Sequence, residues 1–488
     1  MTPGELFAKL WIQVSPHAGS VRAAPWPDKG ARECTPLAAL LTGGSGPDVA
    51  KEIIAYLAGG DPGFACTVAA TELDRRAFVV MCALDVAAME IHPSMLTRVG
   101  GSAIAVSPTL ALMKQERAKT GFYGGHRKHR TLPKGRLTYR AADPEIDDAS
   151  GANLETHFEY LTVLEPLNKG FTVNVFVVSP RKSPLLAPPT QIGFAPIAED
   201  ADDLVFKATV RGKRPYLDAQ PAEPDKLQAR TSAAVGDLLD RGAELVVLPE
   251  LVVPAAAVAA LKSDLHGRSG REAIVVSGSG LSTEVGADKL HFNEAVVMDG
   301  KGRELFRQRK VHPFNMAADR MEKCRVPFAK GHEKQAHLED IQPDTCIEVC
   351  DLHGSGRLMV SICEDLEQDV PGGSVARALR PDWLITPVLD VSQSLGRWTH
   401  QRAIEVGRKT GSHVVVSCSA TLSVRYHSKV SLDEVAPDAL GVGLLYEGAN
   451  RKVRVIDAAE DTSLPRAIIA QWDPDNWEQD RVVSAAIS

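Results

Sequence analysis

The stretch DKLQARTSAAVGDLLDRGAELVVLPE, residues 225–250, decides the fold. Its first part, 225–242, gathers apolar side chains on one helical face and stops at Gly242. Its second part, AELVVLPE (243–250), is a continuously apolar run of strand length that ends on a carboxylate. A helix followed at once by a strand without polar alternation predicts a layered α/β architecture, with both faces of the sheet covered. The same grammar repeats downstream. EAIVVSGSG (272–280), FNEAVVMD (292–299), GRLMVSIC (356–363), PDWLITPV (381–388) and SHVVVSCSA (412–420) read as strands, and RWTHQRAIEVGRKTG (397–411) as a helix. Upstream, FTVNVFVVS (171–179) and TQIGFAPIA (190–198) are two further strand candidates.

Three places break the apolar strand pattern at their C-terminal ends. Glu250 ends LVVLPE, Lys310 ends ELFRQRK, and Cys363 ends LMVSIC. In layered α/β folds the loops at strand ends converge to form a site. A thiol, a carboxylate and an ammonium arriving together make a workable acyl-transfer set. The thiolate is the nucleophile, the carboxylate takes its proton and returns it to a leaving amine, and the ammonium holds the oxyanion. Taken singly, each has an ordinary explanation: a core thiol, a loop acid, a surface lysine. The reading rests on the three together.

LVVLPEL around Glu250, RKVHP around Lys310 and SICEDL around Cys363 resemble the three signature blocks of the nitrilase, or carbon–nitrogen hydrolase, superfamily. HFNEAVVMDGKGREL (291–305), with its asparagine ahead of the lysine block, and RPDWLITPVLD (380–390) extend the resemblance over about residues 185–460. It implies an αββα sandwich carrying a Glu250–Lys310–Cys363 triad, no cofactor and no metal. It also implies a second glutamate between the lysine and the cysteine, for which Glu322 in DRMEKCRVPFAKG is the match. The backbone N–H of Glu364 is the implied second oxyanion donor. The nucleophile block is similar to that of the glutaminase domain of glutamine-dependent NAD synthetases. No phosphate-binding signature of a synthetase domain follows, and the block tilts the expected substrate from nitriles toward small-molecule amides. Homo-oligomers, joined through helices that include the one after the nucleophile, are a further implication.

The 488 residues exceed one ordinary domain, and the reading divides them into an N-terminal accessory domain, 1–160, mainly helical, and a catalytic domain, 161–488. VAKEIIAYLAG (49–59) and RAFVVMCALDVAAMEI (76–91) have the length and alanine content of helices. The basic stretch 116–140 reads as a solvated loop lying on the acidic segment 141–155, with a nucleotide or nucleic-acid contact as the alternative. A net charge of −7 gives no global attraction to nucleic acid or an anionic membrane. No apolar run reaches membrane-spanning length, the N-terminus lacks a secretory pattern, and eight scattered cysteines do not make a disulfide framework, so a cytoplasmic protein is expected. TCIEVC (345–350) lacks the paired spacing of a zinc site.

Two other functions stay open at this stage. One is a sensor or regulatory protein that uses the same fold, with the N-terminal domain as effector or protein-partner module. The other is acyl transfer, in which an amine replaces water at the thioester.

Overall fold

The computed structural model describes residues 1–18, 27–46, 48–58, 70–93, 106–135, 154, 157–167, 170–179, 182–268, 272–435, 441–448, 452–458, 466–471 and 482–484. The acidic segment 141–155 lies outside them except for Leu154.

Two sheets form the centre of the molecule. The first runs in the order β10 (Gly280–Val285), β11 (His291–Asp299), β9 (Ile274–Val276), β8 (Leu245–Val247), β5 (Gln191–Phe194), β21 (Ile468–Gln471), with β12 (Glu304–Arg309) also paired to β11. The second runs β22 (Val482–Ser484), β20 (Lys452–Asp457), β19 (Gly441–Glu447), β18 (His413–Cys418), β17 (Trp383–Val388), β16 (Gly356–Val360), β15 (Cys346–Leu352), β4 (Thr172–Val178). In the first sheet, alternation sorts the apolar residues into two cores. Leu245, Val247, Ile274, Val276, Ala295 and Val297 face the second sheet. Val246, Leu248, Val275, Val296 and Met298 face helices α6 (Pro224–Asp240) and α7 (Ala255–Gly267). Helices α10 (Ser374–Leu379) and α11 (Trp398–Thr410) cover the second sheet with Val375, Leu379, Ala403 and Ile404. The layers are therefore α, β, β, α, and strands β8 and β9 are apolar throughout because neither face meets water.

The N-terminal region is mainly helical: α1 (Pro3–Val14), α2 (Pro27–Thr42), α3 (Lys51–Leu57), α4 (Ala70–Ala88) and α5 (Pro108–Thr120). Thr2 starts α1 with a reciprocal cap, its hydroxyl accepting from the Glu5 N–H while Glu5 accepts from the Thr2 N–H. Buried Asp85 on α4 accepts three backbone N–H bonds from Glu159, Tyr160 and Leu161. Burial still pushes its carboxyl up to about 6. Those bonds hold the entry to β3 (Leu161–Leu164), which joins β2 (His129–Pro133) and β1 (Gly124–His126) in a small antiparallel sheet.

The basic stretch 116–140 is not a solvated loop over its described part. It contains the end of α5 together with β1 and β2, and two of its cations are buried. Arg117 donates to Asp351 on β15 at 2.6 Å, and Arg357 on β16 grips the same carboxylate at 2.6 and 2.9 Å while also donating to the Pro133 carbonyl. Burial alone would raise the Asp351 carboxyl, but Arg357 and Arg117 hold it well below the usual carboxylate range. This Arg–Asp–Arg cluster ties the N-terminal region to the rim of the second sheet.

The remaining strands make a small four-stranded sheet in the order β13 (Asn315–Met316), β14 (His337–Glu339), β7 (Arg214–Pro221), β6 (Leu204–Arg211). Strands β6 and β7 form a hairpin whose two-residue turn places Gly212 at φ +63°, as such turns require. Among the described residues no helix is long and apolar enough to cross a membrane.

Candidate active site

Glu250, Lys310 and Cys363 converge at one pocket. Glu250 lies three residues beyond β8, Lys310 directly follows β12, and Cys363 lies three residues beyond β16. Strands β8 and β12 belong to the first sheet and β16 to the second, so the pocket gathers residues from strand ends of both sheets. The Glu250 and Cys363 backbones are then pinned to the strand-end carbonyls of Val388 and Pro387.

Lys310 is 1% exposed and sits between two carboxylates. Its Nζ donates to Glu250 Oε1 at 2.7 Å and to Glu339 Oε2 at 2.5 Å. Asn293 bridges the same pair, with Nδ2 donating to Glu250 Oε1 at 3.0 Å and Glu339 Oε1 at 3.1 Å. Glu250 Oε2 accepts from the Leu389 N–H at 2.8 Å, and Glu339 Oε2 accepts from the Phe314 N–H at 2.9 Å. Both carboxylates are fixed, and the ammonium they hold faces the pocket that contains the thiol.

Electrostatics follow from this arrangement. Burial opposes the Lys310 charge, but Glu250 and Glu339 outweigh it and raise the ammonium well above its usual range. Burial and the nearby Glu250 push the Cys363 thiol well up, against the pull of Lys310. Burial also raises the Glu250 carboxyl, with Glu339 adding to the shift and Lys310 opposing it. These shifts favour the protonated thiol and the charged lysine and make Glu250 more basic than an ordinary carboxylate, which suits it to receive a proton.

Cys363 precedes the short helix α9 (Glu364–Glu367) in a left-handed conformation, φ +49° and ψ −106°. For a residue with a Cβ this costs on the order of 1–3 kcal/mol and persists only where its surroundings enforce it. Asp365, two residues on, does part of that work. Its carboxylate accepts from the backbone N–H of Val311 and of His312 and meets His312 Nδ1 at 3.0 Å, locking the turn after the thiol to the turn after Lys310. Among the described residues the Glu364 N–H carries no hydrogen bond, so this donor beside the thiol is uncommitted.

Glu322 is not part of the constellation. It is exposed on helix α8 (Ala318–Lys323), and Glu339 takes the place expected for it. Glu322 falls on the outer side of α8, whose Met321 packs inward. Glu339, in contrast, sits on β14 opposite Leu217 and faces inward with His337. The two glutamates should differ sharply under substitution. Glu339→Ala strips a partner from three donors, two of them buried, and is expected to cost about 2–3 kcal/mol of unfolding free energy. Glu322→Ala should stay within about 0.5 kcal/mol, as exposed changes do. Urea unfolding of both variants measures the difference, and equal losses would contradict the placement.

Residues 207–373, which include all four of Glu250, Lys310, Glu339 and Cys363, match the family model described as carbon-nitrogen hydrolase. The chain carries a carbon–nitrogen hydrolase domain. The N-terminal helical region lies outside the matched segment, and among the described residues none that lines the Cys363 pocket comes from it. Similar solved structures include Saccharomyces cerevisiae Nit3, described as a member of branch 10 of the nitrilase superfamily, at 14% identity and a TM-score of 0.37, covering 59% of this chain and 92% of that one. An amidase from Nesterenkonia sp. follows at 16% identity and 0.37, covering 61% and 95%. The glutamine-dependent NAD+ synthetase of Acinetobacter baumannii is similar at 12% and 0.38, covering 59% of this chain and 46% of that one, so the similarity spans about half of that enzyme. Comparison with curated protein sequences returned no match.

Proposed function

We propose that the protein hydrolyses a non-peptide C–N bond, that of a carboxamide, through a thioester on Cys363. The observation that carries this reading is the Lys310 ammonium held by two fixed carboxylates in the pocket that contains the thiol. In the proposed cycle the Cys363 thiol gives its proton to Glu250 as sulfur bonds to the amide carbon. The oxyanion is held by Lys310 Nζ and the Glu364 N–H. As the tetrahedral intermediate collapses, the C–N bond breaks and Glu250 returns the proton to the leaving nitrogen. Water then gives a proton to Glu250 and attacks the thioester, and the acid departs as the thiol re-forms. Glu339 and Asn293 take no proton in this cycle. They position Lys310 and Glu250.

Ammonia release from a primary carboxamide, followed across pH, tests the reading. Glu250 accepts a proton only when ionised, so kcat/KM must fall as pH drops through its carboxyl pKa. Because that group is raised, the acid limb is expected to be centred above the ordinary glutamate value of 4.5. An acid limb at or below that value, or one unchanged in Glu250→Gln, would contradict the assignment of Glu250 as base.

A further inference from the structure

The small sheet of β13, β14, β7 and β6 turns one face toward Cys363, and its register fixes which residues share that face. Met316 pairs with His337, Glu339 with Leu217, and Ala219 with Phe206. Paired residues point the same way, and so do alternate residues along each strand. Phe206, Leu217, Ala219, Met316, His337 and Glu339 therefore form one surface, and all six line the pocket. Leu251, Phe314, Leu389 and Leu422 complete the wall.

Only two groups on the sheet face could recognise a polar substrate, and both are committed. His337 Nε2 accepts from the Ala329 N–H at 2.9 Å, so its proton is on Nδ1, which lies 3.1 Å from the Gln335 carbonyl. Glu339 is held by Lys310, Asn293 and the Phe314 N–H. Two guanidinium groups stand near the walls without lining the pocket. Arg425 lies over the Phe206 ring and donates to the carbonyls of Ala201 and Leu204, and Arg320 lies over the Phe314 ring and pairs with Asp390. A carboxylate or ammonium set against the apolar residues of this face would shed its water and gain no partner from them, while the Lys310 and Glu250 charges at the thiol end of the pocket are already paired with each other.

We propose that the pocket selects carboxamides whose acyl group is small, apolar and uncharged, and that the β6–β7 hairpin sets its size through Phe206 and Ala219. This rests on the acyl-transfer reading of Cys363 and adds the substrate class. The full chain is assayed with isovaleramide, glutamine and succinamate. The expected kcat/KM for isovaleramide exceeds that for either charged amide by at least about 100-fold, because a buried unpaired charge is penalised far more than a changed methylene. Phe206→Ala should raise the phenylacetamide-to-isovaleramide ratio at least about tenfold by deepening the pocket, and Ala219→Val should lower it.

A second measurement does not depend on turnover. Alkylation of the Cys363 peptide by 2-iodo-N-phenylacetamide and by iodoacetate is followed by mass spectrometry, each rate taken relative to that with glutathione. The neutral aromatic reagent is expected to be favoured at least about tenfold. Parity, or a preference for iodoacetate, overturns the selection. So does turnover of glutamine or succinamate to match isovaleramide, and if that turnover is lost in Cys363→Ala the nucleophile assignment stands. Isovaleramide turnover that survives Cys363→Ala overturns the nucleophile assignment instead. Should none of the three amides be turned over, the alkylation ratio alone decides the selection.

Discussion

Cys363→Ala is expected to lower carboxamide turnover by at least ~10⁴-fold while the protein stays folded, since removing the nucleophile of a cooperating triad forfeits nearly all that the triad supplies. The substitution removes one buried sulfur that lies beside Glu250 and Lys310, and it should cost only about 1 kcal/mol in unfolding free energy. Cys363→Ser should be almost as inactive. Glu250 is basic for a carboxylate, but it is far too weak to deprotonate an alcohol without an adjacent imidazole. Steady-state ammonia release beside a urea unfolding curve separates the loss of chemistry from the loss of fold. A Cys363→Ala protein that unfolds with the wild-type midpoint and still hydrolyses amide at a tenth of the original rate would end the proposal.

Lys310→Met is expected to damage both stability and activity, and the two effects can be separated. Removing the ammonium leaves the Glu250 and Glu339 carboxylates buried together with only Asn293, the Leu389 N–H and the Phe314 N–H between them. Breaking a buried ion pair from one side costs about 3–5 kcal/mol, because the charge left behind is uncompensated. Turnover should fall by about 10²–10³-fold or more through loss of the oxyanion contact. The double variant Lys310→Met/Glu339→Gln removes one of the opposed charges and should recover much of the stability. It should recover none of the activity. Unfolding and kinetic measurements on the two singles and the double form a cycle that reads this coupling directly. Recovery of turnover along with stability would mean that Lys310 is structural only.

Glu250 and Cys363 were legible as candidates because each follows a short apolar strand, whereas Lys310 follows the largely polar ELFRQR and was legible only through the RKVHP block that contains it. The layered fold was legible because LVV, IVV and HVVVSC alternate with helical stretches and show no polar face. Glu339 was not legible. It belongs to a three-residue strand whose parallel partner, β7, lies more than a hundred residues upstream, so nothing local distinguishes it from a surface acid. Glu322 was chosen for its place in the chain order, and a helix put it on the solvent side. Arg117 and Lys134 misled in the opposite sense. A run of basic residues ordinarily marks a solvated face, yet these two are buried, and the Arg117 partner Asp351 is 234 residues away. The β6–β7 hairpin did leave a local signal, LVFKATVRGKRPYLDAQP, with period-two alternation on either side of a Gly–Lys turn. Its role over the pocket depends on pairing with β14, which alternation alone does not reveal.

The central claim is a covalent acyl group on Cys363, and acid-quenched mass spectrometry of the protein during turnover of isovaleramide tests it most directly. The predicted result is the peptide containing Cys363 carrying the mass of the isovaleryl group, with that adduct missing in Cys363→Ala. An acyl group on a different side chain, or a Cys363 that stays unmodified while ammonia accumulates, would contradict it.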